Sequence, residues 1–153
     1  MKLLVLLMAA LPLAAADPAG FAHWKSAELR SRGTKLAAKM DAHKVASEKI
    51  GTFGNHLMMV AHREGNGQAE LHDTQADIFI PQEGKATLVY GGRILDGKTT
   101  APGETVGRAI EGGSRIALAP GDIVHIPARV AHQLLLDPGV KFTYAVVKVD
   151  TNQ

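Results

Sequence analysis

Glu70, His72 and Asp77 fall within eight residues of one another, in "AELHDTQAD", and His132 opens the run "HQLLL" sixty residues after His72. Imidazoles and carboxylates bind metal ions and move protons. In a strand, residues two apart share a face. Glu70 and His72 therefore point together and Leu71 points away. Asp77 starts the next apolar run, after the turn-like "DTQA", and can swing back beside them. His132 follows a strand and tight turn in "GDIVHIPARVA" and meets the other three if the two hairpins lie opposite one another. The group is either a metal site or the polar edge of a strand, and the elements around it decide which.

From Gly54 onward, short apolar runs alternate with turn residues. "HLMMVAHR", "AELHD", "DIFIP", "ATLVYGG", "TVGRAI", "SRIALAPGD", "DIVHIP", "HQLLL" and "KFTYAVVKV" read as strands. "GNGQ", "PQEGK", "LDGK", "APGE", "EGGS" and "DPGV" between them carry turn chemistry. Many short strands at this spacing predict an all-β sandwich or barrel. Ahead of it, residues 17–50 are rich in helix formers. Phe21, Trp24, Leu29, Leu36, Met40 and Val45 recur at roughly helical spacing. This predicts one or two helices from about Phe21 to Ile50, interrupted or kinked at Gly33 and docked on the domain behind. Residues 51–153 are then the barrel.

The first sixteen residues, "MKLLVLLMAALPLAAA", place a lysine, an apolar run and small residues in the order of a secretory signal peptide. Cleavage near Ala16 removes Lys2 and takes the formal charge from +2 to +1. The expected location is periplasmic or extracellular, with no membrane attachment after cleavage. A near-neutral chain gives no reason to expect a nucleic-acid partner. The chain has no cysteine, so disulfides and thiolate chemistry are excluded, and a metal must be held by nitrogen and oxygen.

The residues from Glu70 to Gly84 and from Gly121 to His132 resemble the two motifs of the cupins, G-x5-H-x-H-x3-4-E-x6-G and G-x5-P-x-G-x2-H-x3-N. His72 stands at the second histidine of the first motif and Glu70 in the place of the first. Asp77 stands where the family has glutamate, and Gly84 closes the motif. In the second motif Gly121, Pro127 and His132 match, while Arg129 replaces the inner glycine and Leu136 the terminal asparagine. The resemblance, over about residues 54–149, implies a small jelly-roll barrel, which makes the chain mainly β behind its N-terminal helical segment. It also implies a divalent metal inside the barrel. Carried over by position, the ligands are His72, His132, Asp77 and Glu70, a set that suits Mn(II), Fe(II), Ni(II) or Zn(II). Glu70 is alternatively a general base beside a three-ligand site, or the cavity is kept without a metal. Sheet-edge pairing into a homodimer is expected on the same resemblance.

His125 is either a proton-moving partner of the site or an ordinary strand histidine. Arg63 suits a carboxylate-bearing ligand, or is a solvated strand end, the preferred reading. Lys148 shares a face with Tyr144 and Val146 and either contacts an acidic substrate or, the preferred reading, snorkels at the rim. Leu134 and Leu136 share the His132 face and make an apolar wall for a small ligand. "GGRILDGKTTAPGETVGRAIEGG" lacks the P-loop ending and reads as hairpins with a tip around Lys98–Gly103. Three functions remain open. One is a metal-dependent small-molecule enzyme of oxygenase, isomerase or lyase type, with Glu70 and His125 as catalytic groups. A second is a small-molecule or sugar-binding module without turnover. The third is an assembly protein that associates through its helices.

Overall fold

The computed structural model of the chain describes residues 16–152. The predicted signal peptide lies outside them except for Ala16. Among the described residues, no helix is long and apolar enough to cross a membrane.

Among the described residues one α-helix, α1 (Ser26–Leu36), precedes thirteen strands: β1 (Val45–Phe53), β2 (His56–Arg63), β3 (Ala69–His72), β4 (Gln75–Gly84), β5 (Ala86–Tyr90), β6 (Arg93–Leu95), β7 (Lys98–Ala101), β8 (Glu104–Gly107), β9 (Ala109–Glu111), β10 (Ser114–Leu118), β11 (Val124–Ile126), β12 (His132–Leu135) and β13 (Phe142–Asp150). They form a five-stranded sheet, β1-β2-β13-β4-β11, and a six-stranded sheet, β10-β5-β12-β3-β8-β7, with β6-β9 as a separate ribbon. All pairings are antiparallel. The chain is mainly β with an N-terminal helix, as the sequence predicts.

Strand β13 shows why the sheets stack as they do. Phe142, Tyr144 and Val146 alternate into the barrel core, where they meet Ala61, Phe79, Leu88, Ile126 and Leu134. Ala145 turns outward and joins Val60, Leu29 and Leu36 under α1. A strand apolar on both faces must be covered on both faces, and α1 covers the outer one. Burying Leu29 and Leu36 contributes roughly 1.5–3 kcal/mol each.

Three expectations differ from the structure. The helix does not run to Ile50: α1 ends at Leu36 and a short 3-10 turn at Lys39, and residues 45–50 belong to β1. The Asp41 carboxylate accepts the backbone N–H groups of His43 (2.8 Å) and Val45 (3.2 Å), and Lys44 takes φ 55. That side-chain-stabilised turn ends the helical course and starts an edge strand. The strand therefore crosses the boundary placed at residue 50. Gly33 does not break α1 either. It lies mid-helix where Thr143 presses against it, and a Cβ there would collide with the Thr143 side chain. The glycine sets the distance of helix from sheet. The segment expected to be a loop tip, from Lys98, is strand β7, paired with β8.

Candidate metal centre

Strand alternation and register bring the four predicted residues together. Glu70 and His72 sit on β3, and His132 on the neighbouring β12 is in register with Glu70. Asp77 comes from the facing sheet, on β4. One donor atom each from Glu70, His72 and His132 lies within 4.8 Å of the others. The Asp77 Oδ2 is 3.4 Å from His72 Nε2 and 3.5 Å from His132 Nε2, so the shorter acid reaches both rings. His72, Asp77 and His132 are buried, and Glu70 is half-buried.

Each ring is held through Nδ1 and presents Nε2 inward. His72 Nδ1 lies 2.5 Å from Glu104 Oε2, and His132 Nδ1 donates to the Val130 carbonyl at 3.0 Å. An acceptor on Nδ1 fixes the tautomer and raises the basicity of Nε2. Glu104 was not singled out in the sequence. Its only signal is the "ETVG" run, and nothing local says that β8 pairs His72 with Glu104 across thirty-two residues.

The side chain of Lys148 does not sit at the rim. It enters the group from β13, where it is in register with Asp77. Its Nζ lies 3.0 and 3.2 Å from the Asp77 oxygens and 2.9 Å from His72 Nε2. Burial pushes the Asp77 carboxyl up, but His132, His72 and the Lys148 charge outweigh it and hold it well below the usual carboxylate range. Burial pushes His72 down, as does Lys148, yet Asp77 and Glu104 raise it above its ordinary value. Lys148 can donate to Nε2 only while that nitrogen carries no proton. The contact thus belongs to the neutral ring, and protonation exchanges it for ion pairs to the acids.

Arg63 is not a solvated strand end. It is 6% exposed, with Nε and Nη2 at 3.4 and 3.3 Å from Tyr144 Oη. His62, on the opposite face, is buried against Thr143 Oγ1 at 2.9 Å. His125 is not brought to the site. It is exposed and in register with Ile78, whereas its neighbour Ile126 is in register with Asp77 and buried in the core. Alternation sends it to the outer face, and the proton-moving role expected for it is withdrawn.

The likeness to solved structures follows from this topology. A Thermus thermophilus protein is 16% identical, with 76% of this chain and 93% of that one covered, at a TM-score of 0.54. A cupin-2 domain protein of Rhodospirillum rubrum is 16% identical over 70% of this chain and 60% of that one, at 0.51. The barrel shares the fold of that cupin-2 domain. A DMSP lyase of Ruegeria pomeroyi DSS-3 shares the fold at 15% identity and 0.51, over 72% of this chain and 49% of that one. No protein-family model and no curated protein sequence matches the chain.

Within this barrel the donor set suits a divalent ion. It offers two imidazole Nε2 atoms, the second of them buried with no hydrogen-bond partner among the described residues, and two carboxylates. Arg63, Phe79 and Tyr144 continue the cavity beside them, and its volume is about 210 Å³. A larger cleft of about 530 Å³ lies against Gln133 and Leu135, the residues that alternate with His132 and Leu134, and holds none of the four. The Lys148 ammonium and a divalent ion make the same demand on His72 Nε2 and Asp77. They exclude one another there, so a bound ion requires Lys148 to withdraw.

Proposed function

We propose that the chain is a small-molecule protein that holds a divalent ion through Glu70, His72 and His132 inside the barrel. Asp77 is the fourth ligand once Lys148 releases it. The observation that carries the reading is the convergence of those donor atoms within 4.8 Å, two of them on buried histidines. When bound, the ion supplies Lewis acidity toward an oxygen of the small molecule. Glu104 and the Val130 carbonyl keep the two Nε2 atoms aimed inward. Phe79 and Leu134, both buried beside His132, limit water. Glu70, the most exposed of the four, is the group able to exchange a proton with the cavity. The reaction is of oxygenase, isomerase or lyase type. The shared fold with a protein named as a DMSP lyase supports lyase chemistry only as one of those types, because one fold hosts many chemistries.

One observation favours a second reading. Lys148 already neutralises Asp77 and occupies His72 Nε2, which is how a barrel that binds a small molecule without a metal would balance its charge.

The deciding experiment is metal content by mass spectrometry, on wild type beside His72→Ala and His132→Ala. Near-stoichiometric metal lost in both variants supports the first reading. No uptake of Mn, Fe, Ni or Zn by folded wild type leaves the second. Export is part of the proposal on the strength of residues 1–16, and N-terminal sequencing of protein secreted by its host tests it. Pairing of two copies through a sheet edge is proposed on the resemblance alone, and sedimentation tests it.

A further inference from the structure

Arg63 carries a permanent charge, is 6% exposed, and leaves Nη1 without a partner. Its bonds to Tyr144 Oη, at 3.3 and 3.4 Å, are long. It takes no part in the ion pairs among the described residues. A buried cation without a counter-charge costs several kcal/mol, and an unsatisfied buried donor calls for a reason. Arg63 lines the cavity of about 210 Å³ and also a narrower pocket of about 20 Å³ lined by Glu70 and His132.

We propose that this cavity takes a small organic monocarboxylate, with the carboxylate on the Arg63 guanidinium and the body against Phe79, Tyr144 and Val146. The fork of Arg63 matches a planar carboxylate in two parallel hydrogen bonds. Charge limits the ligand to one negative group. Glu70 and Asp77 line the same cavity, and Lys148 is committed to Asp77, so a dianion such as a phosphate monoester meets two carboxylates with one free cation. Size limits it as well, because the volume equals about seven water molecules, room for a short acyl or single-ring acid. The competing explanation is one water in the narrow pocket, which is large enough to hold it.

The inference deepens the small-molecule reading of the barrel and does not depend on the metal. Its test is calorimetric titration of the full chain, with chelator and again after metal loading, using acetate, butyrate and benzoate against acetamide, butyramide and benzamide. At least one acid is expected to bind ten-fold or more tightly than its amide. Arg63→Met should erase that preference, and Arg63→Lys, which keeps the charge and loses the fork, should weaken it at least three-fold. Circular dichroism checks that each variant folds, and if Arg63→Met does not, Arg63→Lys decides. Equal binding of acids and amides, no binding of any acid, or unchanged affinity in a folded variant overturns the proposal and leaves water as the partner of Nη1. Metal content is read separately. A chain that prefers acids yet holds no metal sinks the metal reading alone.

Discussion

Lys148 and Asp77 face each other across neighbouring strands, Nζ 3.0 Å from Oδ1, and the same ammonium reaches His72 Nε2 at 2.9 Å. The barrel thus carries its own cation in the position a divalent ion needs. Removing the ammonium should lower the competition for the site and leave Asp77 charged and buried. Lys148→Met is expected to bind Zn(II) or Mn(II) at least ten-fold more tightly than wild type by calorimetry. Without metal it should be less stable by about 3 kcal/mol, the cost of orphaning one partner of a buried pair. A variant that is stable without metal and binds it no better would show that Lys148 does not compete.

The charges make the metal-free protein pH-sensitive on both sides. Asp77 has a folded pKa below its unfolded value of about 3.9. Its contribution is therefore complete above that value and lost as pH falls. His72 has a raised pKa, so its contribution is complete below about 6.5 and lost as pH rises through the folded value. Urea unfolding in chelator is expected to give maximum stability in the weakly acidic range between the two. Asp77→Asn should flatten the acid limb and leave the neighbouring His72 with less support on the alkaline one.

Gly33 offers a test of packing against propensity. On helix propensity alone, Gly33→Ala would stabilise α1 by about 1 kcal/mol. Its Cβ would instead collide with Thr143, which is buried and hydrogen-bonded to His62. Overpacking of this kind costs about 1–3 kcal/mol. A lower midpoint in urea is expected, and a higher one would mean that α1 lifts off the sheet freely.

Much of this was legible from local pattern. Strand alternation aligned Glu70 with His72, which needs only a period of two, and the resemblance to the two half-motifs placed Asp77 and His132 on the same group. Glu104 was not legible as a site residue, and Lys148 and Arg63 only as the less favoured of two readings. Their places follow from cross-strand register over long separations in sequence, and no local signal encodes it. His125 failed for the related reason that a one-residue change in register reverses the face of every side chain. The stretch from Val45 to Ile50 failed differently. Its apolar spacing fits a helix or a strand, and the Asp41 turn that decides between them resembles an ordinary polar run.

Arg129 occupies the inner-glycine position of the second motif and pays for it in backbone strain, with φ 65. Its N–H nonetheless donates to the His72 carbonyl at 2.8 Å, tying the two motifs together. Arg129→Gly relieves a left-handed cost of about 1–2 kcal/mol against a loss of about 0.4–1 kcal/mol in chain entropy. A net gain between zero and about 1.6 kcal/mol is expected in thermal unfolding. Gly84→Ala is the opposite case. Gly84 has φ 78 and a Cβ there would run into the Lys141 carbonyl, so this variant should fail to fold or lose more than about 3 kcal/mol.

The Glu104 contact to His72 separates a metal centre from a merely polar cluster. If Glu104 serves to hold His72 Nδ1–H, then Glu104→Gln keeps a hydrogen-bond acceptor but loses the charge that makes Nε2 basic. Metal affinity should fall about 10–100-fold, with little change in the fold, because Glu104 is half-buried at the start of β8. His125→Ala, on the outer face, should leave affinity unchanged. The two variants measured side by side by competition with a chelating dye give a contrast that general destabilisation does not produce. Equal affinities for Glu104→Gln and His125→Ala would remove Glu104 from the site and make its contact with His72 purely structural.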